Sequence, residues 1–128
     1  MGKEEIDFTW ANCELSGYRK GYVTVKLDFK TNILSWKDSN YWFNNFVRGL
    51  PTHQMLPIYD ALKDFIKQNI DHKPAKLLSP QDYVWHIQAG SDLEGSPTYE
   101  LSGYDVQAAS WKKLLAAIEK VAQREFKL

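Results

Sequence analysis

The sequence predicts an α+β domain spanning residues 1–128: a five-stranded antiparallel sheet with two helices packed on one face, in the order βββαββα. Three observations predict it. Five short segments place apolar residues at every second position, the side-chain period of a strand. Two longer segments place them at i, i+3, i+4 and i+7, the stripe of an amphipathic helix. Strands that are neighbours in sequence are joined by short turns, which makes them antiparallel. With one apolar face per strand and one apolar stripe per helix, the economical packing puts both helices on the same side.

The elements follow in order. The first strand is expected at 5–10, where Ile6, Phe8 and Trp10 alternate. The second, 22–29, alternates strictly, with Val23, Val25, Leu27 and Phe29 on one side and Tyr22, Thr24, Lys26 and Asp28 on the other. The third, 33–38, follows the turn "KTN", which is expected to set Phe29 opposite Leu34 and Leu27 opposite Trp36. A helix at 57–69 carries Ile58, Ala61, Leu62, Phe65 and Ile66 on one stripe, with Pro57 suited to its first turn and Asn69 to its end. Strands at 83–89 and 98–102 present Trp85, Ile87 and Leu101 and flank the polar loop "GSDLEGSP". The last helix, 110–125, opens on Ser110 as a cap and stripes Trp111, Leu114, Leu115, Ile118, Val121 and Ala122. The expected core is Phe8, Val25, Leu27, Trp36, Leu62, Phe65, Trp85, Leu101, Trp111, Leu115 and Ile118.

The pentapeptide "ELSGY" occurs at 14–18 and again at 100–104. A duplication should stay in phase beyond it, yet Tyr18 leads into a strand and Tyr104 into a helix. Aligning "YVTVKLDF" on "YVWHIQAG" instead superposes two strand–strand–helix units, in conflict with the first register. The pentapeptide therefore reads as twin strand ends, Leu inward, each turning at a Gly that tolerates positive φ. A strand–strand–helix duplication stays open beside that reading.

Sixteen Lys+Arg balance sixteen Asp+Glu, so there is no global attraction to nucleic acid or acidic lipid, and no run of like charge marks a local patch. Aromatics make up 14% and include five Trp, which means either an aromatic core or aromatic surface kept for a partner. Cys13 is the only cysteine and has no disulfide partner within the chain. The charged start "MGKEEIDFTW" is no signal peptide, Ile6 stands where a myristoylation signal wants Ser or Thr, and no apolar run is long enough to span a bilayer. A soluble cytoplasmic protein without membrane contact is expected.

Catalytic and metal-binding motifs are not signalled. His53, His86 and His72 are widely spaced and form no ligand pair, and no cofactor or metal is expected. Cys13 reads as a half-buried thiol near a strand end rather than a nucleophile. "GSDLEGS" has no Lys after its second Gly and is not a phosphate loop. The unusual stretch is "SNYWFNNFVRGL", where Tyr41, Trp42, Phe43 and Phe46, with Arg48, fall in a connection that should be polar. Either these rings plug the open end of the core, or they form an exposed patch that grips another protein or a second copy as a homodimer. The leading functional expectation is a non-enzymatic interaction module using this segment. The alternative is a small-ligand or enzymatic pocket with His53 or His86 and Tyr22. A third reading is single-stranded nucleic acid on the open sheet face of Tyr22, Thr24, Lys26, Ser35, Lys37, Val84, His86 and Gln88, which the neutral charge disfavours.

The stretch "YVWHIQAGSDLEGSPTYELSGYDVQAASWKKLLAAIEKV" resembles a pattern in small uncharacterised bacterial proteins. There a Trp-bearing strand, a second strand ending in Gly and an aromatic-led helix run to the C-terminus. The matching residues are Trp85, Gly103, Tyr104 and Trp111. In that family a Pro often precedes the aromatic that opens the helix, where this chain has "AAS". The resemblance implies the α+β fold and carries no activity.

Overall fold

The central strand of the sheet is the first one. In a computed structural model, which describes residues 7–17, 19–41, 45–69, 83–92, 94–96, 98–103, 109–123 and 126, β1 (Trp10–Gly17) pairs along its whole length with β2 (Gly21–Asp28) on one side and β5 (Tyr83–Gly90) on the other. Outward from β2 lie β3 (Ile33–Asp38) and β4 (Phe46–Gly49); outward from β5 lies β6 (Tyr99–Gly103). The sheet order is β4-β3-β2-β1-β5-β6, every neighbouring pair antiparallel. Helices α1 (Thr52–Asn69) and α2 (Ala109–Ala122) lie against each other on one face. The class and the one-sided packing agree with the sequence expectation; the sheet has six strands rather than five.

The differences have physical causes. The first strand was expected at 5–10 but begins at Trp10, because its inward residues Ala11, Cys13 and Leu15 are mostly small and make a weaker alternation than Ile6, Phe8 and Trp10. Residues 5 and 6 lie outside the described residues. Phe8 is buried just before the strand, while Trp10 faces away from the helices. The β2–β3 register is Leu27 opposite Leu34 and Val25 opposite Trp36, two residues from the expected one. A slip of two keeps every side chain on its face. The turn is longer than "KTN" because the Asp28 carboxylate accepts from the backbone N–H of Lys30 (3.0 Å) and Thr31 (3.2 Å), and Asn32 takes a positive φ of 58°.

Helix α1 starts five residues before Pro57, at Thr52, and carries Pro57 inside it. The proline has no N–H to donate to the carbonyl one turn back, at His53, which lies on the exposed side of the helix. The early start adds Met55 to the buried stripe of Ile58, Ala61, Leu62, Phe65 and Ile66. Helix α2 ends at Ala122, short of 125. Gln123, at φ 57°, closes its last turn by donating to the Glu119 carbonyl (2.8 Å), and the Phe126 N–H donates to the Glu119 carboxylate (2.7 Å).

Phe126 thereby drops into the core between Trp36 and Trp111, with ring centroids 5.6 and 6.1 Å away. The rings continue as a spine: Trp111 to Trp85 at 5.7 Å, Trp85 to Phe65 at 4.9 Å, and Trp36 to Phe46 at 6.0 Å. Trp36, Trp85 and Trp111 are thus core residues, so three of the five tryptophans serve the core. Of the expected core, Leu101 and Leu115 are half-buried and the rest are buried.

The "ELSGY" copies both end strands, β1 and β6, with Leu15 and Leu101 on the helix side. Their glycines are not there for positive φ as expected. In the first turn the positive φ belongs to Arg19 and Gly21. Gly103 is needed for space: a Cβ there would lie 2.8 Å from Trp85 Cε2 and closer still to Cζ2. The alternative duplication also fails. β2 and β5 both run antiparallel to β1 and so run parallel to each other, but β3 lies on the outer left of one and β6 on the outer right of the other. With both helices on one face the two units are mirror-arranged and cannot superpose. The alignment also sets the buried Val23 on Val84, which faces the other way.

Candidate functional site

The face away from the helices is built by the odd-one-out residues of each alternation. Register places them in rows across the sheet. One row runs Lys37, Thr24, Glu14, His86, Ser102; the next runs Val47, Ser35, Lys26, Asn12, Gln88, Glu100. Trp10, Asp28 and Ile33 lie at one end of the face and Tyr22, Ser16 and Val84 at the other. All eight residues expected on this face are on it. What the sequence reading missed is the contribution of β1, Asn12 and Glu14, because that strand was placed too early. The signal was present as Asn12, Glu14 and Ser16 alternating with Ala11, Cys13 and Leu15.

Over the middle of these rows lies a concavity of about 270 Å³, lined by both Tyr22 and His86 together with Glu14, Lys26 and Lys37. It adjoins a shallower hollow of about 380 Å³ that shares Thr24, Lys26 and Lys37 and reaches Phe46 and Val47 on β4. Glu14 is half-buried and accepts from the Thr24 hydroxyl (2.9 Å). His86 Nε2 lies 3.2 Å from the Glu100 carboxylate, to which Gln88 also donates (3.0 Å), so the imidazole is fixed as one wall. Lys26 and Lys37 are exposed and have no ion-pair or hydrogen-bond partner among the described residues. Like charges and Glu14 therefore share one hollow without pairing with each other.

Of the aromatic segment, the described rings Tyr41 and Phe46 lie in different surroundings. After β3 the Asp38 carboxylate accepts from the N–H of Asn40 (2.8 Å) and Tyr41 (3.2 Å), and Asn45 accepts from the Asp38 N–H (2.7 Å), so a short loop turns the chain back into β4. The expected connection is thus a hairpin. Phe46 is half-buried on the helix side, stacked on Trp36, with the Arg48 guanidinium 4.7 Å from its ring centre. Tyr41 is 53% exposed, and Trp42 and Phe43 lie outside the described residues. The residue β4 turns outward is one the sequence reading passed over, Val47, 72% exposed at the sheet edge.

His53 stands exposed in the first turn of α1, on another element from Tyr22 and His86 and outside their concavity. Cys13 is fully buried in the middle of β1 rather than half-buried at a strand end, and burial pushes its thiol up to about 12, which keeps it protonated and non-nucleophilic at neutral pH. Among the described residues no three His, Cys, Asp or Glu side chains come together as a metal site, and no helix is long and apolar enough to cross a membrane.

A third hollow, about 280 Å³, opens where α1 begins, beside Phe8, Phe29 and Tyr59. The three ring centroids are 4.6 to 5.7 Å apart, so the rings fill one another's space and leave no cage between them. They close the end of the core. No protein-family model and no curated protein matches the chain.

Proposed function

We propose that this chain is a non-enzymatic binding module that holds a small polar ligand in the concavity on the open sheet face. The single observation behind this reading is the convergence, from three strands onto one hollow, of unpaired charges of both signs between Tyr22 and His86. Small-ligand sites are concave and orient their ligand with a few placed polar groups. The surroundings are rigid sheet, the kind of scaffold that holds such groups in place. At about 270 Å³ the hollow is slightly smaller than the roughly 300–1,000 Å³ of sites for drug-sized molecules, so the ligand is small.

The test is a two-dimensional amide NMR titration with small anions, cations, zwitterions and neutral polyols. Shifts confined to Asn12, Glu14, Thr24, Lys26, Lys37 and His86 support the reading. A panel that moves none of these amides overturns it.

A second reading, the interaction module of the 41–48 segment, is favoured by Val47, exposed on the edge strand β4, and by Tyr41, exposed in the stretch between β3 and β4. A free edge can add a strand from a partner or a second copy. Sedimentation over a wide concentration range checks the homodimer: a wild-type dimer lost in Val47→Lys supports it, and a monomer throughout removes it. Single-stranded nucleic acid fits less well, since Trp10 and Tyr22 are six register positions apart, roughly 20 Å, too far for consecutive bases to stack on both.

A further inference from the structure

We infer that the ligand of the open-face concavity is a small zwitterion of the α-amino-acid class, its carboxylate toward Lys26 and Lys37 and its ammonium toward Glu14. This rests on the small-ligand reading above and specifies its chemistry.

The inference follows from eliminating charge types. An uncharged ligand that displaced water from the hollow would strip hydration from two ammonium groups and a carboxylate and return no charge to any of them, which is costly. A purely anionic ligand would satisfy the lysines but press against Glu14, which is half-buried and held in place by the Thr24 hydroxyl at 2.9 Å. A purely cationic ligand would satisfy Glu14 and meet both lysines. Only a molecule carrying both signs gives every one of these groups a partner of opposite charge.

The layout sets the polarity of the ligand. Lys37 and Glu14 flank Thr24 on the two adjacent strands, so their Cα atoms stand two strand spacings apart, about 10 Å. Lys26 sits diagonally from both, across from Asn12 and Ser35. Cationic groups therefore border the β2–β3 side of the hollow and the anionic group the β1 side, with Thr24 between. The protein does not neutralise itself across this gap: none of the three is ion-paired with another. His86 does not compete for the ligand's carboxylate, because Glu100 already engages its Nε2 at 3.2 Å. Glu100 also holds the Gln88 amide, which leaves Asn12 as the amide free to adapt to a polar side chain.

The test compares three mixtures by calorimetry and amide NMR on the full chain: the twenty free L-α-amino acids, the same set N-acetylated, and the same set as C-terminal amides. The free mixture is expected to bind with shifts at Glu14, Thr24, Lys26 and Lys37, and each capped mixture to bind at least about tenfold more weakly, the scale of one lost charge contact. Glu14→Gln should abolish discrimination against the N-acetylated set, and the exposed-site double variant Lys26→Met/Lys37→Met should abolish discrimination against the amides. Equal binding of free and capped sets, or stronger binding of succinate or inorganic phosphate, overturns the zwitterion while leaving a small-ligand site in place. Failure of every probe to move those amides overturns both.

Discussion

The sheet carries the same device on each face, a tryptophan lying over a cross-strand glycine, and the two copies live in different surroundings. On the helix side Trp85 of β5 covers Gly103 of β6 and is itself packed by Phe65 at 4.9 Å and Trp111 at 5.7 Å. On the open side Trp10 of β1 covers Gly90 of β5, where a Cβ would lie 2.8 Å from Trp10 Cζ2, but among the described residues no helix lies above it. Local geometry is alike; the freedom to move aside is not. The covered face is a close-packed interior in which each ring is held by others, whereas the open face keeps polar groups whose arrangement answers to solvent or ligand. That division assigns the packed core to one face and leaves the proposed site on the other.

Substituting the two glycines is the sharpest way to break the comparison. Gly103→Val should cost about 3 kcal/mol in urea unfolding, because Trp85 cannot yield inside the core, while Gly90→Val should cost about 1, because Trp10 swings outward. Equal costs would show that the open-face ring is as fixed as the buried one. Strand β4 repeats the contrast within one element. Phe46→Ala should lose about 2 kcal/mol through its stack on Trp36, while Val47→Ser, one residue on, should change stability by less than about 0.5. A large loss at Val47 would mean that the edge is covered.

The buried thiol gives a pH signature of the covered face. Cys13 stays protonated up to about 12, while in the unfolded chain it ionises in the ordinary thiol range. The unfolded state then binds fewer protons, so stability falls as pH rises between those limits, by up to about 1.4 kcal/mol per pH unit. Its contribution is fully present below the ordinary range, and Cys13→Ala should flatten that part of the alkaline profile. A wild-type profile no steeper than that of the variant contradicts the burial.

The smallest effect belongs to an exposed pair. Lys30 and Asp92 join the β2–β3 turn to the loop after β5, holding the Asp92 carboxyl below its usual range and the Lys30 ammonium above its own. Its contribution is lost as pH falls through the lowered Asp92 value and, at the other end, as pH rises through the raised Lys30 value. Because both groups are exposed, salt should screen it, and Asp92→Asn should leave the unfolding midpoint almost unchanged at high ionic strength. A clear loss at high salt would show that the pair organises the loop.

Alternation alone determined which residues of β2, β3 and β5 face the helices, including every open-face residue named from them, because the side-chain period of two is a local property of the backbone. The stripes of both helices were legible for the same reason. Tertiary structure decided the rest. Strand β1 was read too early because a central strand beneath two helices needs small residues, and Ala11 and Cys13 look unlike core until their neighbours are known. Strand β4 went unseen because four residues in an aromatic run show no period; pairing with β3 makes them a strand. The candidate site depended most on this, since Glu14 meets Lys26, Lys37, Tyr22 and His86 only when distant segments become adjacent strands, and no local pattern encodes that adjacency.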